Sequence, residues 1–292
     1  MKDQNLRLGI ILMSATSLVF ALQDGVSRHL AGEYNIYMVV MIRFWFFAAF
    51  VIAMAARQPG GIRAATRTAY PVQQLLRGLL LVIEICLMVF AYVQLGLVET
   101  HAVFTCYPLL VAALSGPVLR ERVGWRRWTA IAIGFVGILV VLQPGLRVFS
   151  PIALIPLLAA TLFALYGLLT RFVAQKDAAA VSFFWVGIIG VVAMTPIGLW
   201  HWQAMARPDW IWMAVLCVTA ATGHYLMIRA YEVAEASAIQ PFAYLQLVFI
   251  AILGVVVFDE TLRMNVIIGA GIVVAAGLFT LWRTRISKLA EA

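Results

Sequence analysis

Ten apolar stretches, each about 20 residues long, run through this chain near residues 8-30, 36-56, 74-95, 100-119, 128-143, 151-173, 179-200, 210-231, 237-258 and 264-282. About 20 residues of helix cross the hydrocarbon core of a bilayer, and a helix satisfies every backbone donor and acceptor within itself, which lipid cannot do. Little of the 292 residues is left over for a soluble domain. With 64% hydrophobic and only 12% charged residues, and a mean hydropathy of +0.98, the chain lies far outside soluble usage. The expected fold is an all-α integral membrane protein of ten transmembrane helices.

A net charge of +8 invites a nucleic-acid reading, but the basic residues alternate by loop. With the N-terminus in the cytoplasm, Arg57, Arg63, Arg67, Arg77, Arg120, Arg122, Arg126, Arg127, Arg171, Lys176 and Arg229 fall on the cytoplasmic side. Only Arg28, Arg147, Arg207 and Arg263 fall opposite. That bias is the positive-inside rule, so no nucleic-acid partner is needed and both termini are expected in the cytoplasm. The N-terminal "MKDQNLRLGIILMSATSLVFA" has the order of a signal peptide. It is expected to stay as the first span, because apolar chain continues past it.

The chain also echoes itself. "SLVFALQDGVSRHLA" from Ser17 aligns with "ATLFALYGLLTRFVA" from Ala160, pairing Phe20 with Phe163, Ala21 with Ala164 and Arg28 with Arg171. "ETHAVFTCYPLLVAALSGPVLRER" is echoed by "EASAIQPFAYLQLVFIAILGVVVFDET", each with a Glu, a Pro, a Tyr, a Gly and an acidic exit, at Glu121 or Glu260. Two five-span units, 1-147 and 148-292, are therefore expected. An odd number of spans inverts the second against the first, which is the layout of secondary transporters with a central midplane site.

"EASAIQPFAYLQLVFIAILG" followed by "DETL", Arg43 within the second span, and "LRERVGWRRWTAIAIGFVGILVV" resemble the EamA-type repeats of the drug/metabolite transporter superfamily. Within it the chain is similar to ten-span bacterial amino-acid exporters. The resemblance covers nearly the whole length. It implies a bacterial inner-membrane protein that exports amino acids, aromatic ones and related small metabolites included, by alternating access without ATP. The alternative is a multidrug or organic-cation exporter of the same fold.

The residues themselves exclude some chemistry. No GxxxxGK[ST] loop or HExxH helix is present, so neither ATP drive nor metallohydrolysis has its parts. No cofactor, metal site or enzyme activity is expected. Arg43 and Glu84 lie deep in apolar runs, where an isolated charge costs at least about 2.5 kcal/mol. Arg43 is expected either as a strut, held by carbonyls or Glu84, or as a substrate-sensing or gating charge. Asp24 is the other partner available to it.

Thr16, Phe20, Gln23 and Ser27 form one helical stripe, and Ala159, Phe163, Tyr166 and Thr170 form its counterpart. Either they line a cavity between the halves or they pack helices with polar glue. Tyr92, His101, Thr105 and Tyr107, His224 and Tyr225, and the indoles of Trp45 and Trp185 extend the candidate lining. Ser237, Gln240 and Tyr244 recur at helical spacing on the ninth span. Pro241 and Pro108 interrupt the ninth and fourth spans, and paired interruptions point to a transporter's site, although prolines also merely bend helices. Gly134, Gly137, Gly269, Gly271 and Gly277 let spans five and ten brace the outside, and they offer a homodimer contact. The partners expected are thus a small metabolite and the lipid bilayer.

Overall fold

The computed structural model describes residues 5–119, 125–142, 151–234, 239 and 242–290, and these residues form helices joined by short connections. They are α1 (Leu6–Glu33), α2 (Ile36–Ala56), a short α3 (Gly61–Thr66), α4 (Pro71–Leu95), α5 (Leu97–Phe104), α6 (Tyr107–Leu119), α7 (Trp125–Leu142), α8 (Ile155–Val173), α9 (Ala179–Trp200), α10 (Asp209–Val233), α11 (Leu245–Phe258) and α12 (Met264–Ala290). Starts follow local chemistry. The Asn5 side chain caps α1 by accepting from the Leu8 amide at 3.0 Å, and Asn35 caps α2 from the Tyr37 amide at 2.9 Å. Pro71 opens α4, where a missing N–H costs nothing.

Among the described residues six helices are long and apolar enough to cross a membrane: α1, α2, α4, α8 with the turn before it, α9 and α10. The four remaining stretches carry shorter apolar helices, 97–111, 128–142, 245–258 and 264–279. The fourth expected span is short because it breaks. After Phe104 the chain makes a turn at Thr105 and Cys106 and resumes as α6, with Pro108 in the first turn. A turn at Tyr244 likewise precedes α11. Large apolar side chains such as Ile11, Val192, Ile211 and Val256 project outward, the surface that hydrocarbon rather than water favours.

The helices pack in a patterned set of pairs: α1 on α10 and α4 on α8, α2 on α9, α7 on α12, α1 on α11 and α6 on α8, α4 on α9 and α2 on α10. Exchanging α1 with α8, α2 with α9, α4 with α10, α5 and α6 with α11, and α7 with α12 returns the same set. In the α7–α12 pair, Gly137 and Gly269 meet: a Cβ on Gly137 would lie 2.7 Å from the Gly269 carbonyl oxygen. The glycines of spans five and ten therefore serve mainly a contact inside the chain, while Gly271 meets nothing within 4 Å.

At the α4–α5 corner, Gly96 has φ of +86°, a backbone region that favours glycine. The Glu260 carboxylate fills the space beside it, accepting from the Leu97 and Val98 amides at 2.8 and 2.9 Å and pairing with Arg28. One acidic side chain thus ties α1, α5 and the end of α11 together.

At another corner, between the α2–α4 and α8–α9 connections, Asp177 accepts from the Ala69 amide at 2.8 Å, from Gln74 Nε2 at 2.9 Å and from the Thr68 hydroxyl. Burial pulls its carboxyl upward, but these hydrogen bonds and the Arg77 charge outweigh it and hold the carboxyl below the usual carboxylate range. A depressed value stabilises the fold above the unfolded value near 3.9, and that contribution fades as pH falls through the lower folded value. Detergent melting curves should therefore drop in acid below about pH 4. Asp177→Asn should melt lower at pH 7 and respond less in that acid window.

Candidate functional site

A cavity opens between α1, α2, α4, α5, α8, α10 and α11. Phe20, Gln23 and Asp24 reach it from α1, Arg43 from α2, and Glu84, Met88, Val89 and Tyr92 from α4. Phe104 of α5 and Phe163 of α8 close one wall, with ring centroids 5.5 Å apart, while His224 of α10 and Gln246 of α11 complete the lining. This combination of aromatic walls and a few converging polar groups is the usual make-up of a small-molecule site.

Asp24 anchors a polar network at one wall. It accepts from Gln246 Nε2 at 2.9 Å and from Gln23 Nε2 at 3.2 Å, and its Oδ2 lies 3.2 Å from His101 Nε2. The Tyr92 hydroxyl lies 3.1 Å from the same histidine nitrogen. Arg43 instead meets His224, Nη2 to Nε2 at 3.2 Å, and the His224 ring is held edge-on to Phe20. Arg43 forms no ion pair with Asp24 or Glu84 among the described residues. The expected strut to Glu84 or to carbonyls is thus replaced by a histidine contact, with the guanidinium turned to the cavity.

Several polar groups of this lining have nothing to bond. Gln23 Oε1, Arg43 Nε and His224 Nδ1 are buried without a hydrogen-bond partner, and Glu84, 6% exposed, has neither hydrogen bond nor ion pair among the described residues. A buried polar atom left unpaired costs roughly 1–3 kcal/mol and a charge more. Four such groups around one cavity make a set of valences for a polar ligand.

Of the residues expected in the lining, Gln23, Tyr92, Phe163 and His224 reach the cavity, together with Arg43 and Glu84. Tyr166 lies behind Phe163, its ring stacked at 5.8 Å and approached by the Arg77 guanidinium. Thr105 is buried at the α5–α6 turn, where its hydroxyl donates to the His101 carbonyl. Tyr244 packs against α12 at Gly277. Trp185 is partly buried away from the cavity, stacked edge-on to Phe184. Tyr225 is 40% exposed and points outward, which corrects its placement in the lining, as does Trp45, bonded to Thr195 at the outer surface. Ser237, Gln240 and Pro241 lie outside the described residues. The sequence alone does not mark Phe104 as a wall or Gln246 as the partner of Asp24. Phe20 was visible as a member of the first stripe; Gln246 was visible only as a glutamine in an apolar run.

A model of the EamA-like transporter family matches residues 7–143 and again residues 150–282. An S-adenosylmethionine uptake transporter of Rickettsia prowazekii is 26% identical over 277 residues, covering 94% of this chain and 92% of that protein. A riboflavin transporter of Vibrio cholerae is 28% identical over 291 residues, covering 96% of this chain and 95% of that protein. A solved crystal structure shares the fold at a TM-score of 0.62, with 18% identity over 96% of each chain.

Proposed function

This chain belongs to the EamA-like transporter family, and on that premise we propose that it moves a cationic or zwitterionic metabolite bearing a flat ring across the bacterial inner membrane, through the cavity walled by Phe104 and Phe163. The acidic make-up of the lining carries the reading: two carboxyl groups, Asp24 and Glu84, face one guanidinium, Arg43. A ligand with an α-amino-carboxylate supplies an ammonium to the acidic wall and a carboxylate to Arg43, and a second cation fits the surplus acid. S-adenosylmethionine chemistry, with a sulfonium, an amino acid and an adenine ring, matches all of it. Aromatic amino acids moving outward form the narrower version of the proposal, since they lack the second cation. An uncharged flavin is a second reading, favoured by the unpaired Gln23 Oε1 and His224 Nδ1 beside two aromatic walls.

The transport cycle proposed is alternating access between two inverted five-helix halves, 1-147 and 148-292, making ten spans with both termini in the cytoplasm. The double family match and the exchangeable packing pairs support it. In this cycle the break beside Pro108 lets α5 and α6 bend, and Pro241, outside the described residues, is proposed as its counterpart in the second half. Purified protein in liposomes preloaded with unlabelled S-adenosylmethionine should accumulate the labelled compound by counterflow, and tryptophan should compete weakly. Counterflow of labelled riboflavin, with no exchange of S-adenosylmethionine, would transfer the cargo to the flavin reading.

A further inference from the structure

We propose that Asp24 and His101 form a proton-binding pair whose loading competes with the cation in the cavity, so that this transporter couples metabolite movement to protons. The proposal rests on the cationic-cargo reading above. The pair sits at the cavity edge: Asp24 lines it, His101 is 2% exposed directly behind it, and Tyr92, which also lines it, touches the same Nε2. A cavity-lining carboxylate thus connects the buried imidazole to whatever water or ligand fills the space.

Each packed element contributes a defined group to the pair's surroundings. Gln23 lies beside it on α1, Arg43 on α2, Glu84 and Tyr92 on α4, His224 on α10 and Gln246 on α11. From α8 come Phe163 and, behind it, Tyr166. On its other sides α5 carries the Glu260 carboxylate, itself paired with Arg28, on its Leu97 and Val98 amides, the Glu99–Arg263 pair at 3.1 Å, and an apolar contact of Val98 and Ala102 with Val266 and Ala270. A proton on His101 Nε2, donated toward the Asp24 carboxylate, adds one positive charge at the cavity edge. The attraction for a cation falls with it, and by linkage a bound cation expels the proton to water.

The test uses the purified full-length protein with tetraphenylphosphonium, a permanent cation with flat rings, and a nitrogen-15 histidine spectrum recorded in parallel. We expect cation affinity to rise about tenfold from pH 5.5 to 8.5, the His101 signal to change with it, and a proton to be released on binding. In His101→Gln one affinity should hold at every pH. Tyr92→Phe, which removes a single hydroxyl, should shift the midpoint and keep the titration, guarding against a His101 variant that does not fold. Cation binding with a His101 that never titrates overturns this proposal alone. Affinity that ignores pH although His101 titrates overturns it too. No cation binding at any pH overturns both this and the cationic-cargo reading.

Discussion

Arg77→Ala should yield almost no folded protein. Arg77 is fully buried, and its guanidinium donates from Nε to Gln74 Oε1 at 3.2 Å, from Nη1 to Thr170 Oγ1 at 3.3 Å and from Nη2 to the Ser182 carbonyl. Gln74 extends the set to Ser182 Oγ and Asp177. Three helices, α4, α8 and α9, are thereby joined through one planar cation with five donors in fixed directions. Alanine leaves three acceptors bare in a dry interior at roughly 1–3 kcal/mol each, and even without additivity the loss is a large share of an ordinary 5–15 kcal/mol stability. Lysine cannot recover it, because one ammonium cannot reach three separated acceptors. Size-exclusion profiles and melting in detergent read the outcome. Arg43→Ala, by contrast, should fold, since among the described residues the only hydrogen bond of that side chain goes to His224. Equal melting of Arg77→Ala and wild type would refute the assignment.

These two arginines also show how much of the site was legible beforehand. Hydropathy and loop charge identify a membrane protein, and the repeated stretches carry the family, because both signals are sums over many residues. Single side chains are another matter. Arg77 counts as a cytoplasmic charge when a span is assumed to begin near residue 74, yet its side chain turns inward and is consumed by neighbours no composition reveals. Arg43 is conspicuous from its depth alone, but its partner, His224, comes from a helix 181 residues further along the chain. Helical spacing finds Gln23 and Phe163 because α1 and α8 are unbroken there. On the ninth span Ser237 and Gln240 lie outside the described residues, and after the turn at Tyr244 it is Gln246 that faces Asp24 while Tyr244 faces Gly277. Asp24 is expected only as a partner for Arg43; in the fold it is 6% exposed at the head of the polar network.

Glu84→Gln should stabilise the protein and disable it together. A buried carboxylate with no hydrogen bond or ion pair among the described residues is a cost in the empty protein, and an isosteric amide removes the charge while keeping the shape. The melting temperature of the ligand-free variant should therefore rise. The bound state loses what the empty state gains. Truncating one partner of a buried charge pair typically costs about 2–5 kcal/mol, so affinity for S-adenosylmethionine or tetraphenylphosphonium should fall roughly 100-fold or more, and counterflow with it. An uncharged flavin, which never needed the charge, should bind within a few-fold of wild type. The opposing directions separate this account from damage to the fold, which would lower melting and transport alike. They also give a physical reason for keeping an unpaired acid at membrane depth: its cost when the cavity is empty is the affinity gained when a cation arrives, the trade between stability and activity that binding sites commonly show. A Glu84→Gln protein that melts below wild type and still binds both cations as tightly would remove Glu84 from the site.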